Sequence, residues 1–394
     1  MLELTAKTEA GARLVRIAET LAKDFGREAA RHDREASFPY PAIDALRRAG
    51  YFAAPVPTEN GGLGVTCVHD VVVASSRLAR GDASIAIGVN MHLVVLLNIV
   101  RRWLAARTAG DRRRATAFAA SMIEIARDGI VMASAISEPG QDLTRPQTTA
   151  TRTPGGWRID GRKAFCTMSP AATVLYTAVT HVDNDGVERY GYAQVPADAA
   201  GVEILDDWDA LGMRASGSHS VTFTDVPIPQ SALRGGFVAG DADAYMERNL
   251  LAGLFHASAS LGIAESAASA ATDAASRRGK PDARTRMLIA ENVIDIGACR
   301  ATLARSAALV DDPDPDVVVL FAETQATKAF VNEAAARIVD RALAISGGAG
   351  YLNGHPLARA YRDVRAGAFM HPLGSNRAYE LLGDVALGRR PALH

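Results

Sequence analysis

With 394 residues, 48% of them hydrophobic, the chain is long enough for two or three packed units and apolar enough to fill a sizeable core. Its 43 basic and 44 acidic residues leave a net charge of −1, which argues against a nucleic-acid groove or an anionic membrane surface as main partner and favours small molecules. Cys67, Cys166 and Cys299 stand far apart without CxxC spacing, so neither a disulfide framework nor a metal site is expected, and a reducing cytoplasm fits.

The N-terminus is charged and amphipathic without a long apolar leader core, and no uncharged apolar run of about 20 residues stands out, so no export and no membrane span are expected. Residues 1–129 carry apolar side chains at spacings of three and four, as in "AIDALRRAGYFAAPVP" and "HDVVVASSRLARGDASIAIGVNMHLVVLLNIVRRWLAARTAG", and predict an N-terminal helical domain. Asn90 and His92 interrupt the second run. A lone histidine there reads either as a satisfied core residue or as a group facing a polar pocket. Residues 130–238 change to short β-rich runs, "WRIDGRKAFCT", "VLYTAVTHV", "RYGYAQVP", "GVEILDDW" and "HSVTFTDVPIP", separated by turn residues. Along the first of these and just beyond it, Phe165, Thr167 and Ser169 alternate with Ala164, Cys166 and Met168, which places the first three on one strand face. From 239 to 394 helical periodicity returns in Ala- and Leu-rich segments, broken once by the polar "SRRGKPDART". Gly347 and Gly348 of "SGGAGY" follow no parallel strand, so they are not a dinucleotide fingerprint; they permit close approach of a cofactor or of a neighbouring subunit.

Four passages in this order resemble the acyl-CoA dehydrogenase family: "SEPGQD" at Ser137–Asp142, "DGRKAFCTMSPAATVLY", "LGMRASGSHSVTFTDVPIP", and "SGGAGYLNGHPLARAYRD". The resemblance implies an α+β multidomain fold: an N-terminal helical domain, a central β-barrel domain and a C-terminal four-helix bundle. It also implies a flavin, FAD or FMN, between barrel and bundle. An isoalloxazine ring needs an apolar or aromatic wall and a donor near its N5, which Phe165 and Thr167 would supply, with Ser137 and Ser169 nearby. The plainer alternative makes Phe165 a core residue and Thr167 a half-buried strand residue.

Departures from the family pattern bear on function. The catalytic glutamate a few residues beyond Tyr-Arg-Asp is replaced at His371, and the alternative glutamate position before Leu261–Gly262 holds Ala252. Glu247 lies five residues earlier and reads as a solvated surface charge. The arginine motif that meets the cofactor pyrophosphate is reduced to "SRRGKP", Ala344 replaces a glutamine, and the pantetheine-contacting loop shrinks to "GQD". What remains is similar to the family's flavin-dependent monooxygenase branch, which contains dibenzothiophene monooxygenases and amino-sugar nitrososynthases. There Phe-Cys-Ser or a near equivalent replaces Trp-Ile-Thr, to which "FCT" at Phe165–Thr167 is similar, and histidines resembling His92 and His371 enter the pocket to move protons. That resemblance implies catalysis by His92 and His371, with Asn90, Arg214 and Met370 toward a small organic substrate. It further implies a homotetramer built as a dimer of dimers, and reduced flavin from a separate reductase. Arg214 reads equally as an ion-pair partner in a loop, and His256 and His219 have no motif support and read as structural or exposed. Two alternatives stand beside this reading: a dehydrogenase of acyl thioesters with an atypical base, and a non-catalytic flavin-fold binding protein.

Overall fold

In the computed structural model, which describes residues 3–140, 142–311 and 316–393, the chain opens with α1 (Glu9–Glu35). Its cap residue is Thr8, whose hydroxyl accepts from Gly11 N–H at 2.9 Å and donates to Asp70 at 2.6 Å. One side chain thus both starts α1 and ties it to another helix. After α2 (Tyr40–Arg48), α3 (Val68–Gly81) carries Asp70, and Asp82 caps α4 (Ala83–Thr108) by accepting from Ser84 and Ile85 N–H at 2.8 and 3.2 Å. α5 (Arg112–Asp128) closes the first helical segment.

The sheet follows: β1 (Met132–Ala135), β2 (Thr149–Thr153), β3 (Gly156–Cys166), β4 (Val174–Val182), β5 (Glu188–Pro196), β6 (Val202–Ile204), β7 (His219–Ile228) and β8 (Leu233–Val238). The strands run in the order β6-β7-β3-β2-β4-β5-β8, with β1 parallel to β4. Trp157, Ile159, Val179, Val195, Val221 and Phe223 fill one side as a separate apolar cluster. The other side of β4 and β5 presents Tyr176, Tyr190 and Tyr192 to the helices. Tyr190 stacks on Phe237 at 4.6 Å and Tyr176 on Tyr192 at 5.1 Å. The five strand runs read from the sequence fall on β3 to β7. β1, β2 and β8 escaped because they are short, mostly polar or glycine-bearing, and take their place from neighbours rather than from their own pattern.

The last segment comprises α6 (Ala242–Asn249), α7 (Ala252–Arg277), α8 (Ala283–Asp311), α9 (Val317–Ser346), α10 (Gly348–Tyr351), α11 (Pro356–Val364) and α12 (Ser375–Ala386). α3 lies directly on α7: a Cβ at Gly262 would stand 2.4 Å from Ser76 O and 2.6 Å from the Ala79 Cβ, so only glycine permits this approach. A single apolar core consequently runs from Leu14 and Val71 through Leu254 and Leu261 to Ile338 and Leu381, joining helices from both ends of the chain. The expectation of no membrane-length apolar run needs correction. α4 and the Ala242–Arg277 span are long and apolar enough to cross a bilayer, yet 83% and 94% of their most apolar windows are buried inside the protein. Both are core helices, apolar all round because they are surrounded by protein.

Candidate active site

The site lies where the outer face of β4 and β5 meets α4, α6 and α7, with the loop between α11 and α12 folded over it. That loop is anchored at its start by the Tyr-Arg-Asp run. Arg362 grips Asp33 of α1 through two bonds at 2.7 and 2.5 Å, and Asp363 accepts from Met213 N–H at 2.7 Å. Burial pushes the Asp363 carboxyl up to about 7, against the pull of Arg359. None of these three residues lines the cavities described below; they hold the loop that does.

His371 stands at the junction of two spaces. An outer cavity of about 650 Å³ is lined by Ser137, Gly140, Phe369, His371, Pro372 and Arg377 among others. An inner pocket of about 60 Å³ is lined by Tyr176, Tyr192, Arg248, Asn249, Ala252, His256 and His371, with apolar groups from α4. The state of the His371 ring follows from its neighbours. Asn249 Nδ2 donates to Tyr245 O at 2.8 Å, which turns Asn249 Oδ1 toward His371 Nε2 at 3.0 Å. An amide oxygen only accepts, so Nε2 carries the proton and Nδ1 keeps its lone pair. Burial and the nearby Lys328 ammonium push His371 down to about 3, so the ring is neutral at ordinary pH.

Lys328, on α9, carries the loop. Its Nζ donates to Met370 O, to Leu373 O at 2.6 Å and more distantly to His371 O at 3.4 Å, spending its three protons on three carbonyls of one short loop. Burial pushes this ammonium down to about 7. The cationic side of the inner pocket is completed by Arg248, which lies 4.8 Å over the Tyr192 ring, with Arg102 beside it. No aspartate or glutamate is among the described residues lining the inner pocket. Ala252 and His371, the two places at which the resembling family sets its glutamate, both line it, so the sequence positions converge in space although neither holds a carboxylate.

Of the flavin-side residues Ser137 lines the outer cavity, and Phe165 and Thr167 follow Ala164 at the end of β3 beside the Ser137 turn. Ala164 N–H donates to Ser137 O at 2.9 Å, which brings the Ser-Glu-Pro turn against the end of β3. Glu138 is sealed in that turn by Lys163 Nζ at 2.6 Å and by Gln147 and Thr148 N–H at 2.6 and 2.8 Å; burial opposes its charge, but Lys163 and these donors hold it below the usual carboxylate range. Gln141 of the same passage lies outside the described residues. Phe165 takes a left-handed backbone at φ 55°, rare for an aromatic residue, and stands 66% exposed with its edge toward Trp208 at 6.0 Å. Thr167 Oγ1 accepts from Ser218 at 3.0 Å, while its own proton reaches Phe165 O only at a long 3.5 Å. An open cavity, an outward aromatic ring and an under-used hydroxyl fit a flavin ring, and Phe165, Thr167 and Ser137 are the residues that would hold it.

Several sequence expectations require correction. β3 ends at Cys166 and Met168 turns left-handed at φ 68°, so the alternation breaks: Ser169 is buried and donates to Gly217 O at 3.1 Å, away from any cavity. His92 is fully buried. Its Nε2–H donates to Phe52 O at 2.8 Å and its Nδ1 accepts from Met132 N–H at 3.0 Å, which leaves no nitrogen for chemistry. Burial pushes it down to about 4. Asn90 donates to Phe255 O at 3.0 Å and is a helix-to-helix tie. Arg214 donates to Asp33 O at 2.8 Å and Ala210 O at 3.2 Å, so its loop role prevails over substrate contact. Met370 is half-buried against the core and contributes its carbonyl to Lys328 rather than its side chain to a cavity. Gly347 and Gly348 line neither cavity, but they are exposed with open space at each Cβ, which is compatible with the close approach of a neighbouring subunit. Glu247 is exposed, as expected. Sequence reasoning missed Lys328, Asn249, Tyr176, Tyr192 and Arg248, and set His256 aside. Only the coincidence of distant segments reveals them.

Comparison with known proteins agrees with this geometry. The acyl-CoA dehydrogenase N-terminal, middle and C-terminal domain signatures match residues 10–104, 133–226 and 244–376. An L-evernosamine nitrososynthase from a Micromonospora strain is 34% identical over 391 residues, covering 97% of this chain and 91% of the relative. The amino sugar nitrososynthase DnmZ of Streptomyces peucetius is 33% identical over 394 residues, covering 97% and 95%. The crystal structure of KijD3 with FMN and dTDP-3-amino-2,3,6-trideoxy-4-keto-3-methyl-D-glucose superposes with a TM-score of 0.90 at 33% identity, covering 98% of this chain and 96% of that one.

Proposed function

The chain belongs to the acyl-CoA dehydrogenase family and is a flavin-dependent oxidoreductase, and from that premise we propose that it is an N-oxygenase of a nucleotide-linked amino sugar, using reduced flavin and dioxygen. The observation that carries this reading is the inner pocket: a neutral His371 at the position of the family base, no carboxylate, and cations around it. An α-proton abstraction from an acyl thioester needs a carboxylate at one of the two family positions, and His371 and Ala252 supply none; the far more acidic proton of a nitrogen gaining oxygen asks only for a weak base such as the neutral His371 ring. An amine that attacks oxygen must instead keep its lone pair, hence be unprotonated. A pocket flanked by Lys328 and Arg248 and free of carboxylates disfavours the ammonium and favours the free amine.

In the balanced reaction the amine, dioxygen and reduced flavin give the hydroxylamine, water and oxidised flavin. Bound flavin supplies the two electrons and presents the oxygen. The residues of this chain do the rest. His371 Nδ1 accepts the proton that the nitrogen sheds as the N–O bond forms, and Asn249 holds the ring in the tautomer that leaves Nδ1 open. Lys328 keeps the loop in place, and the stacked Tyr176 and Tyr192 wall the pocket from solvent. Arg248 and Arg102 at the tyrosine edge add to the positive charge that keeps such an amine unprotonated.

We read Tyr351, Leu352, Leu387 and Ile294, 85%, 65%, 67% and 68% exposed, as surface covered by further copies in a homotetramer, with a separate reductase supplying the flavin. The test of function supplies the chain with FMN, a flavin reductase, labelled dioxygen and a dTDP-linked amino sugar. One labelled oxygen on the product nitrogen is expected. Anaerobic bleaching of bound flavin by an acyl-CoA, with no oxygen transfer, would overturn the reading.

A further inference from the structure

His256, on α7, is buried with 4% exposure, and neither of its ring nitrogens has a hydrogen-bond partner. Among the described residues it is the one buried histidine in this condition: His92 spends both nitrogens on backbone, His32 pairs both, and His69 leaves only Nδ1 unpaired. Nor is His256 sealed in packed core, since it lines the inner pocket beside His371, Asn249 and Ala252. Burial, Lys328 and His371 push it well below the ordinary histidine range, so the ring is neutral and offers one donor and one acceptor. Buried polar groups are almost always satisfied, and a pair left without partners in a residue that walls a pocket marks where an occupant can supply one.

We propose that His256 is a substrate-recognition residue that hydrogen-bonds a ring oxygen substituent, a hydroxyl or keto group, on the carbon next to the reacting amine. The inference rests on the N-oxygenase reading and names what that pocket selects. The inner pocket, about 60 Å³, admits an amine and its neighbouring oxygen but not a whole sugar. His371 and His256 therefore divide the work: His371 faces the nitrogen and His256 the adjacent oxygen. A site built to pair such an oxygen rejects the analogue lacking it, because the imidazole nitrogen that would meet it then stays unpaired.

The test uses the full chain with oxidised FMN, so that no turnover is required, and titrates by calorimetry a dTDP-linked amino sugar and its analogue deoxygenated beside the amine. The wild type should bind the oxygenated ligand at least about tenfold more tightly. His256→Leu should bind both alike at the weaker affinity, and His256→Gln should recover part of the preference. Because the ring is unpaired in the free protein, His256→Leu should hold or raise Tm, whereas a histidine that braces the core would lower it. Equal binding by the wild type, preference retained in His256→Leu, or a Tm loss that His256→Gln restores would each overturn the assignment. Binding and discrimination without oxygen transfer to nitrogen in the reductase-coupled assay would sink the N-oxygenase reading and leave His256 standing. Failure of the wild type to bind either sugar would remove the substrate class and the assignment with it.

Discussion

His92 is fully enclosed and His371 partly so, and both are neutral and held in a defined tautomer, yet they occupy opposite kinds of place. Around His92 every nitrogen is matched to backbone: Phe52 O on one side and Met132 N–H on the other, so the ring rivets α4 to the start of the sheet. Around His371 one nitrogen is matched to Asn249 and the other is left to a cavity. Burial alone therefore says little about function; what counts is whether the hydrogen-bond inventory closes within the protein or stays open toward space.

The sharpest way to break that contrast is to remove each ring. His371→Ala should lower product formation by about 10² or more while FMN affinity and Tm stay close to wild type, the usual scale for losing a positioned base. Undiminished turnover would erase the difference between the two histidines. His92→Leu should do the reverse. It strands the Met132 N–H and the Phe52 carbonyl in a dry interior, which costs on the order of 2 kcal/mol or more in urea unfolding, with turnover per folded molecule unchanged.

Acid sharpens what the two have in common. With folded-state values of about 4 for His92 and about 3 for His371, both below the ordinary 6.5, the unfolded chain binds protons first as pH falls. Stability should be intact above pH 6.5 and decline below it, by roughly 1.4 kcal/mol per pH unit for each histidine, until pH approaches 4. Unfolding curves of His371→Gln across that window should show a shallower decline than wild type; an equal slope would mean that His371 is already solvated. The smallest effect concerns the flavin wall. Phe165→Ala should weaken FMN binding about tenfold, the scale of one stacked aromatic contact, and leave Tm unmoved because that ring is 66% exposed. A drop in Tm with no change in FMN affinity would return Phe165 to the core reading.

Much of this was legible in sequence where the signal is local. Helical periodicity, the β-rich middle and the four family passages carry their own evidence, and His371 was placed by counting from Tyr361. Local pattern failed where a residue's role depends on what another segment brings. "GVNMHLVV" contains nothing to say that Phe52 and Met132 will saturate His92, and "LFHASAS" nothing to say that His256 will be left open. The strand alternation that grouped Phe165, Thr167 and Ser169 assumed regular backbone, whereas left-handed residues at 165 and 168 turn the chain twice within four positions. Lys328 has no motif at all: its meaning is three carbonyls more than forty residues away, visible only once α9 lies beneath the loop.

The contact of α3 with α7 bears on how the chain is made. α3, buried almost all round, finds part of its cover in α7, which follows the sheet and meets it at Ser75, Ser76 and Ala79. A ribosome adding about 5–20 residues per second reaches α7 on the order of 10 s after α3. Through that interval an apolar surface waits in a crowded cell, so chains halted before Ala252 should bind chaperones or aggregate while completed chains do not. Gly262, which lets the two helices touch, is thus where an early-made helix and a late-made one are finally joined.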